Sequence, residues 1–233
     1  MLFLVTDTSG KHGSVALAQA GPDSPGAAVR VVETVPLAGG MFSAQLVPQL
    51  AALLAKHGFS KKDIGAFVVV SGPGSFTGLR VGLSAIKALA EILGKPIVPV
   101  SLLEVVALGA NVDGTVLAVL DAGRGEVFAG EYLVSSGVAQ MVREQLLPRE
   151  EAISLGQNLI FTTPDAQLAE MARSAGLKLA AVDEVSVEAI ARLGWAKLQA
   201  NQIVSPAELD ANYMRRSDAE LFSKPHTDST NRA

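Results

Sequence analysis

The chain contains no cysteine among its 233 residues. Disulfides, thiolate-held metals and a cysteine nucleophile are therefore excluded. Histidine is scarce as well: His12, His57 and His226 are the only three, and none stands at metal-ligand spacing from another. Charged residues make up only 18% of the chain and the net charge is −4. No basic block is long enough to act as a nucleic-acid arm. No run approaches the roughly 18 uninterrupted apolar residues of a membrane span, and Met1–Asp7 lacks the basic region and the long apolar core of a signal peptide. A cytoplasmic protein without a membrane partner is expected. What is abundant is aliphatic: 49% of the residues are hydrophobic, enough for a sizeable core and too much for disorder.

The most informative stretch is Val70-Ser-Gly-Pro-Gly-Ser-Phe-Thr-Gly-Leu-Arg-Val-Gly82. Ala66 to Val70 reads as a buried strand, the Gly72-Pro73-Gly74 turn breaks it, and helical spacing begins at Phe76. Glycines at such a strand-to-helix turn bring backbone close to something else. One reading is a phosphate at the helix N-terminus. The other is a second helix packed on Gly78 and Gly82. No lysine follows at phosphate-loop spacing, so the segment is not a Walker A motif.

Apolar runs and turn residues predict strands over 2–6, 14–19, 29–35, 66–70 and 97–100, with a loop at Gly21-Pro22 and Pro25-Gly26. Helices are predicted from Ser43, as cap, to Gly58, over Phe76 to Leu93, and over Leu102 to Leu108. Pro48 kinks the first of these or delays its start. The pattern then begins again. Strands are predicted over 115–120, 126–133, 138–146, 158–161 and 178–182, with helices over 149–154, 165–174 and 187–200. Leu4-Val-Thr-Asp7 followed by Gly13-Ser-Val-Ala-Leu17 resembles Ala118-Val-Leu-Asp121 followed by Gly125-Glu-Val-Phe-Ala129. Two such hairpins, each opening half of the chain, suggest an internal duplication. Strands followed by alternating strands and helices argue for an α/β protein with mixed sheets and helices on their faces. Residues 1–110 and 111–216 are the expected lobes, and 217–233 a polar, mobile tail.

In the helix after the glycine turn, Arg80, Ser84, Lys87 and Glu91 form one narrow polar stripe. Leucine, isoleucine, valine and alanine occupy the rest. A coat this wide needs cover on both sides, either from the protein's own sheet and first helix or from another subunit. His57 stands where it can meet the last carbonyls of the first helix. An Asp before a hydroxyl and a glycine turn, as in Asp7-Thr8-Ser9, can hold Mg²⁺-nucleotide phosphates or simply close a hairpin. Arg124 and Glu126 are partner contacts or solvated turn charges. Glu126 and Glu131 fall on opposite faces and make no acid/base pair.

Taken together, Asp7-Thr8-Ser9, Gly72-Pro-Gly-Ser-Phe-Thr-Gly-Leu-Arg-Val-Gly82, Pro96 to Ser101, Asp121-Ala-Gly-Arg-Gly-Glu-Val127 and Tyr213-Met-Arg215 resemble, in order, the TsaB (YeaZ) family of bacterial proteins. The resemblance implies an actin-like ATPase (ASKHA) fold of two ribonuclease-H-like lobes. It implies a non-catalytic subunit in making N6-threonylcarbamoyladenosine beside the tRNA anticodon. TsaD, the catalytic relative, and TsaE, a small ATPase, are the implied partners, with tRNA met through the complex. A homodimer is implied when TsaD is absent. No cofactor is implied for the chain alone, with ATP or ADP possible at the junction with TsaD. The implied partner face comprises Phe42, Leu46, Leu50, Leu53, Phe76, Leu79, Arg80, Leu83 and Lys87. Asp7, Thr8, Ser9, Gly72, Gly74 and Asp121 become vestigial phosphate-loop positions. TsaD-like proteins carry a His-x-x-x-His metal pair where this chain has Leu102 and Val106, neither of which can bind a metal. Phe42 stands where many members have histidine.

Two other readings compete. One is a stand-alone actin-like kinase or peptidase, which needs nucleotide ligands in both lobes or a metal pair. The other is a homodimeric binding module unrelated to tRNA.

Overall fold

A computed structural model describes residues 1–21 and 29–215. The tail from Ser217 and the Pro22 to Gly26 turn lie outside the described residues.

The first half runs β1 (Leu2–Asp7), β2 (Gly13–Ala20), β3 (Val29–Leu37), α1 (Phe42–Lys56), β4 (Ile64–Gly72), α2 (Phe76–Leu93), β5 (Ile97–Ser101) and α3 (Leu102–Gly109). The second half repeats that order as β6 (Gly114–Gly123), β7 (Glu126–Ser135), β8 (Val138–Pro148), α4 (Arg149–Leu155), β9 (Ile160–Thr163), α5 (Ala166–Ser174), β10 (Leu179–Ala181) and α6 (Val187–Gln199). The sheets are ordered β3-β2-β1-β4-β5 and β8-β7-β6-β9-β10. In each, the opening hairpin is antiparallel and the next two strands run parallel to the first. The likeness of the two hairpins therefore extends to whole lobes.

The central strands are buried on both faces, which is why they read as unbroken apolar runs and not as alternation. Leu4, Leu17, Phe67 and Val69 face α1 and α2. Phe3, Val5, Val68 and Val98 face α6. Leu117, Val119 and Phe161 face α4 and α5, while Val116, Ala118 and Tyr132 face α3. Each lobe thus takes its inner cover from the other half of the sequence or from its border. The boundary at residue 110 separates the two sheets. It does not separate their covers, because α6 packs on the first sheet and α3 on the second. The two inner helices meet at the Lys197–Glu104 ion pair, 2.7 Å long and largely buried.

Helix α2 begins and ends where its spacing predicts. The Ser75 hydroxyl accepts from the Gly78 N–H at the N-terminus, and Gly94, in the left-handed region, closes the C-terminus. Helix α1 departs from expectation. Met41 stands at its N-cap, with no side-chain cap bond, and Ser43 lies inside the first turn. Pro48 sits within the helix without delaying its start. The carbonyl it leaves unpaired belongs to exposed Ala44, where water can satisfy it.

Candidate functional site

The glycines of the Gly72–Gly82 segment are seats for the protein's own β1–β2 turn. A Cβ on Gly74 would stand 2.4 Å from the Ser9 carbonyl oxygen, one on Gly78 2.0 Å from the Thr8 carbonyl oxygen, and one on Gly82 2.2 Å from the Thr8 hydroxyl. The Thr8 hydroxyl donates to the Gly78 carbonyl at 2.8 Å. The Ser75 N–H donates to the Ser9 carbonyl at 2.6 Å. The close neighbour is therefore neither a phosphate nor a second helix. One amide at the start of α2 that an anion would need is already spent within the chain.

Between the lobes lies a cleft of about 970 Å³ lined by both hairpin turns, the start of α2 and the segment after α6. Asp121 lines it and Asp7 does not, and neither of these expected acidic groups is free. Asp7 Oδ1 accepts from the Ser9 N–H at 2.8 Å and from the Ser9 hydroxyl at 2.6 Å. Burial pushes the Asp7 carboxyl above its ordinary value, against those two bonds. Asp121 is held by the Arg149 guanidinium at 2.7 Å, whose hydrogen bond lowers its pKa. Among the described residues no group of three His, Cys, Asp or Glu side chains could hold a metal. Both carboxylates are thus already engaged within the chain, and no chemistry is assigned to them.

The segment after α6 crosses both lobes. Val204 bridges Ile97 on the edge of the first sheet. The Asn212 N–H donates to the Ser71 carbonyl at 2.8 Å. Tyr213 packs on Phe76 with ring centroids 4.8 Å apart, and the Arg80 guanidinium lies 3.8 Å over the Phe76 ring and donates to the Tyr213 hydroxyl at 3.3 Å. Arg215 pairs with Glu126 at 2.5 Å in the second lobe. Glu126 is thus an intramolecular partner, and Glu131 pairs with Arg143. His57 does not cap α1 with its ring, which meets the Glu33 carboxylate at 2.7 Å.

The residues expected at the partner face divide in two. Phe42, Leu46, Leu50, Leu53, Leu79 and Leu83 are buried in the core of their own lobe. Phe42 fills a slot between Gly13 and Gly78. Contrary to expectation, these six are covered by their own lobe and cannot themselves meet a partner. Phe76 and Lys87 are half-buried and Arg80 is exposed. Between Ser43 and Lys56, which are exposed at its two ends, α1 shows to solvent Ala44, Val47, Pro48, Ala51, Ala52 and Ala55. The helix carries no charge between Phe42 and Ala55. On α2, Ala88 and Ile92 are exposed, Ile92 at 76%.

Comparison with known proteins decides the family. A family model described as "TsaD: tRNA N6-adenosine threonylcarbamoyltransferase" matches residues 36–216. The "tRNA threonylcarbamoyladenosine biosynthesis protein TsaB" of Bacillus subtilis is 38% identical over 101 residues, covering 43% of this chain and 44% of that one. Its Haemophilus influenzae namesake is 29% identical over 170 residues, 68% of this chain and 69% of that one. YeaZ from Pseudomonas aeruginosa superposes with a TM-score of 0.67 at 22% identity, over 91% of this chain and 99% of that one. The chain belongs to the TsaD family, within its TsaB (YeaZ) group. The match spans less than half the length of the B. subtilis relative. The fold is the actin-like ATPase (ASKHA) fold, two ribonuclease-H-like lobes with mixed sheets.

Within this TsaB-group chain the positions of the TsaD-like metal pair are filled by aliphatic core. Val106 is fully buried in the second lobe's core and Leu102 packs against the first lobe's. Sequence reasoning missed Glu144, Tyr132, Asn212 and Arg149. A glutamate in a strand and an asparagine in a loop carry no signal in their spacing. Arg149 could have been suspected only from its place at the start of the helix after β8. No described helix is long and apolar enough to cross a membrane.

Proposed function

We propose that this chain is a non-catalytic subunit of N6-threonylcarbamoyladenosine biosynthesis, docking on TsaD through the outer side of α1 and α2 and favouring its active arrangement. The observation that carries the reading is the bare face of α1. Six exposed positions along the helix are Ala, Val or Pro, and no charge interrupts them. Solvent-facing helices ordinarily carry charge on that side, and an uncharged exposed stripe suits a partner. The names of the relatives support the pathway. The partner is stabilised in its active state only as far as it binds that state better.

TsaE and tRNA join through the TsaD complex in this reading. In the absence of TsaD the same face pairs with a second copy. An adenine nucleotide, where one is used, sits at the junction with TsaD, since Asp7 and Asp121 are engaged within the chain. The same engagement weighs against a stand-alone kinase or peptidase.

The test is sedimentation of the chain with TsaD. Val47→Asp and Ala51→Asp lie on the surface and should leave the fold intact by circular dichroism while weakening the complex at least about tenfold. Leu83→Asp, in the core, should unfold the lobe itself. Unchanged association of both surface variants would defeat the docking assignment.

A further inference from the structure

Glu144 stands on β8 and gathers donors from three separate parts of the chain. Its Oε1 accepts from the Ser101 hydroxyl at 2.5 Å and from the Tyr132 hydroxyl. Its Oε2 accepts from the Asn212 side-chain amide. Burial, and then the neighbouring carboxylate, push the Tyr132 hydroxyl well above its ordinary pKa, so it remains a donor. The two carboxyl oxygens thus accept from all three partners at once.

The origins of those partners give the cluster its meaning. Ser101 ends β5 of the first lobe, paired with Gly72 in that sheet. Tyr132 belongs to the core of the second. Asn212 lies on the crossing segment, and its backbone is bound to Ser71 of the first lobe. Gly72 admits that segment: its φ is +136°, and a Cβ there would stand 2.9 Å from the Asn212 carbonyl oxygen. On one side of Asn212, Leu209 is buried in the first lobe's core. On the other, Met214 packs on the second's, and Tyr213 is held by Phe76 and Arg80 of α2.

We propose that Glu144 is the lock of an interlobe clamp: its carboxylate ties the end of β5 and the Val204–Arg215 strap to the second lobe, and so fixes the angle between the lobes and the opening of the cleft. The two inner helices give the lobes a shared hinge region. The clamp acts at the start of α3, close to the Lys197–Glu104 pair, and beside the Arg215–Glu126 pair that also ties the strap to the second lobe. The clamp needs no partner, so it stands or falls independently of the role proposed above.

Glu144→Gln keeps the size of the side chain but replaces one accepting oxygen by an N–H₂, so at least one partner must give up its hydrogen bond or turn over to keep one. Hydrogen exchange on the whole chain should then show the amides of Val204 and Asn212 exchanging at least about tenfold faster, with β1 and β6 unchanged. Spin labels on Lys62→Cys and Ser174→Cys, both exposed and in different lobes, would be the only thiol-attached probes in a chain without cysteine. Their distance distribution should broaden in Glu144→Gln. Unchanged strap exchange and an unchanged distribution would overturn the proposal, as would equal acceleration in both sheets. Ser101→Ala removes one donor and disturbs packing least. It should give a smaller acceleration confined to the same amides, and its absence would overturn the clamp even if Glu144→Gln fails to fold.

Discussion

The carbonyl oxygen of Thr8 lies 2.0 Å from where a Cβ on Gly78 would stand. That contact joins the first hairpin turn to the first turn of α2, and the Thr8 hydroxyl closes it with a hydrogen bond to the Gly78 carbonyl. The glycine-rich segment thus seats the β1–β2 turn inside one lobe and pins it from behind.

Gly78→Ala should therefore destabilise the chain by about 3 kcal/mol or more, because the clash is with the Thr8 backbone, with the buried Phe42 ring on the other side. Gly82→Ala meets the end of the Thr8 side chain, which can rotate, and should cost less. Urea denaturation followed by circular dichroism ranks the two. Equal midpoints for Gly78→Ala and the parent would show that the turn is not seated as described.

Asp7 gives a pH signature of defined sign. Burial raises its folded pKa above the unfolded value of 3.8. Such a group favours folding below that value, and the contribution disappears as pH rises through the folded pKa. In Asp7→Asn the side-chain oxygen still accepts from Ser9 while no charge is buried. The stability of Asp7→Asn relative to the parent should grow as pH rises from about 4 towards 7, read as the difference in urea midpoints. A difference that shrinks over that interval would mean that the Ser9 bonds outweigh burial.

Residues 1–110 should not fold by themselves. Phe3, Val5, Val68, Val98 and Val100 would lose the cover of Ile190, Ala191 and Trp195, leaving one whole face of the sheet in water. The isolated fragment should aggregate or show no cooperative melting by circular dichroism. A soluble fragment with a sharp transition would count against the exchange of inner helices. In the intact chain Trp195 is the only tryptophan and stacks on Phe3 with centroids 6.0 Å apart. Its fluorescence therefore reports on the first lobe although it lies far along the second half of the sequence.

Much of the architecture was legible in the residues. Helix α2 starts and stops where Phe76 and Gly94 place it, because a serine cap and a left-handed glycine are local devices that owe nothing to the rest of the fold. The repeat of the opening hairpin signalled the second lobe, because a duplicated turn keeps its own chemistry. Pro48 shows the limit of such local rules. An exposed helix position tolerates a missing N–H when the carbonyl it frees faces solvent.

The candidate site was less legible. The apolar circumference of α2 showed that the helix is covered on several sides, and Leu79 and Leu83 turned out to be covered by their own sheet and by α1. Periodicity records which faces avoid water and is blind to what covers them. Phe42 follows the same logic, taken up by the gap that Gly13 and Gly78 leave.

The sequence by itself determined the two lobes, the family and the apolar character of Leu102 and Val106, since each rests on local chemistry or on residues close in the chain. Only the tertiary structure decided that α6 covers the first sheet, that Thr8 occupies the glycine seats and that Ser101, Tyr132 and Asn212 converge on Glu144. These are meetings of residues far apart in sequence, fixed by close packing and by the need of buried polar groups for partners, and neither constraint leaves a mark on residue spacing.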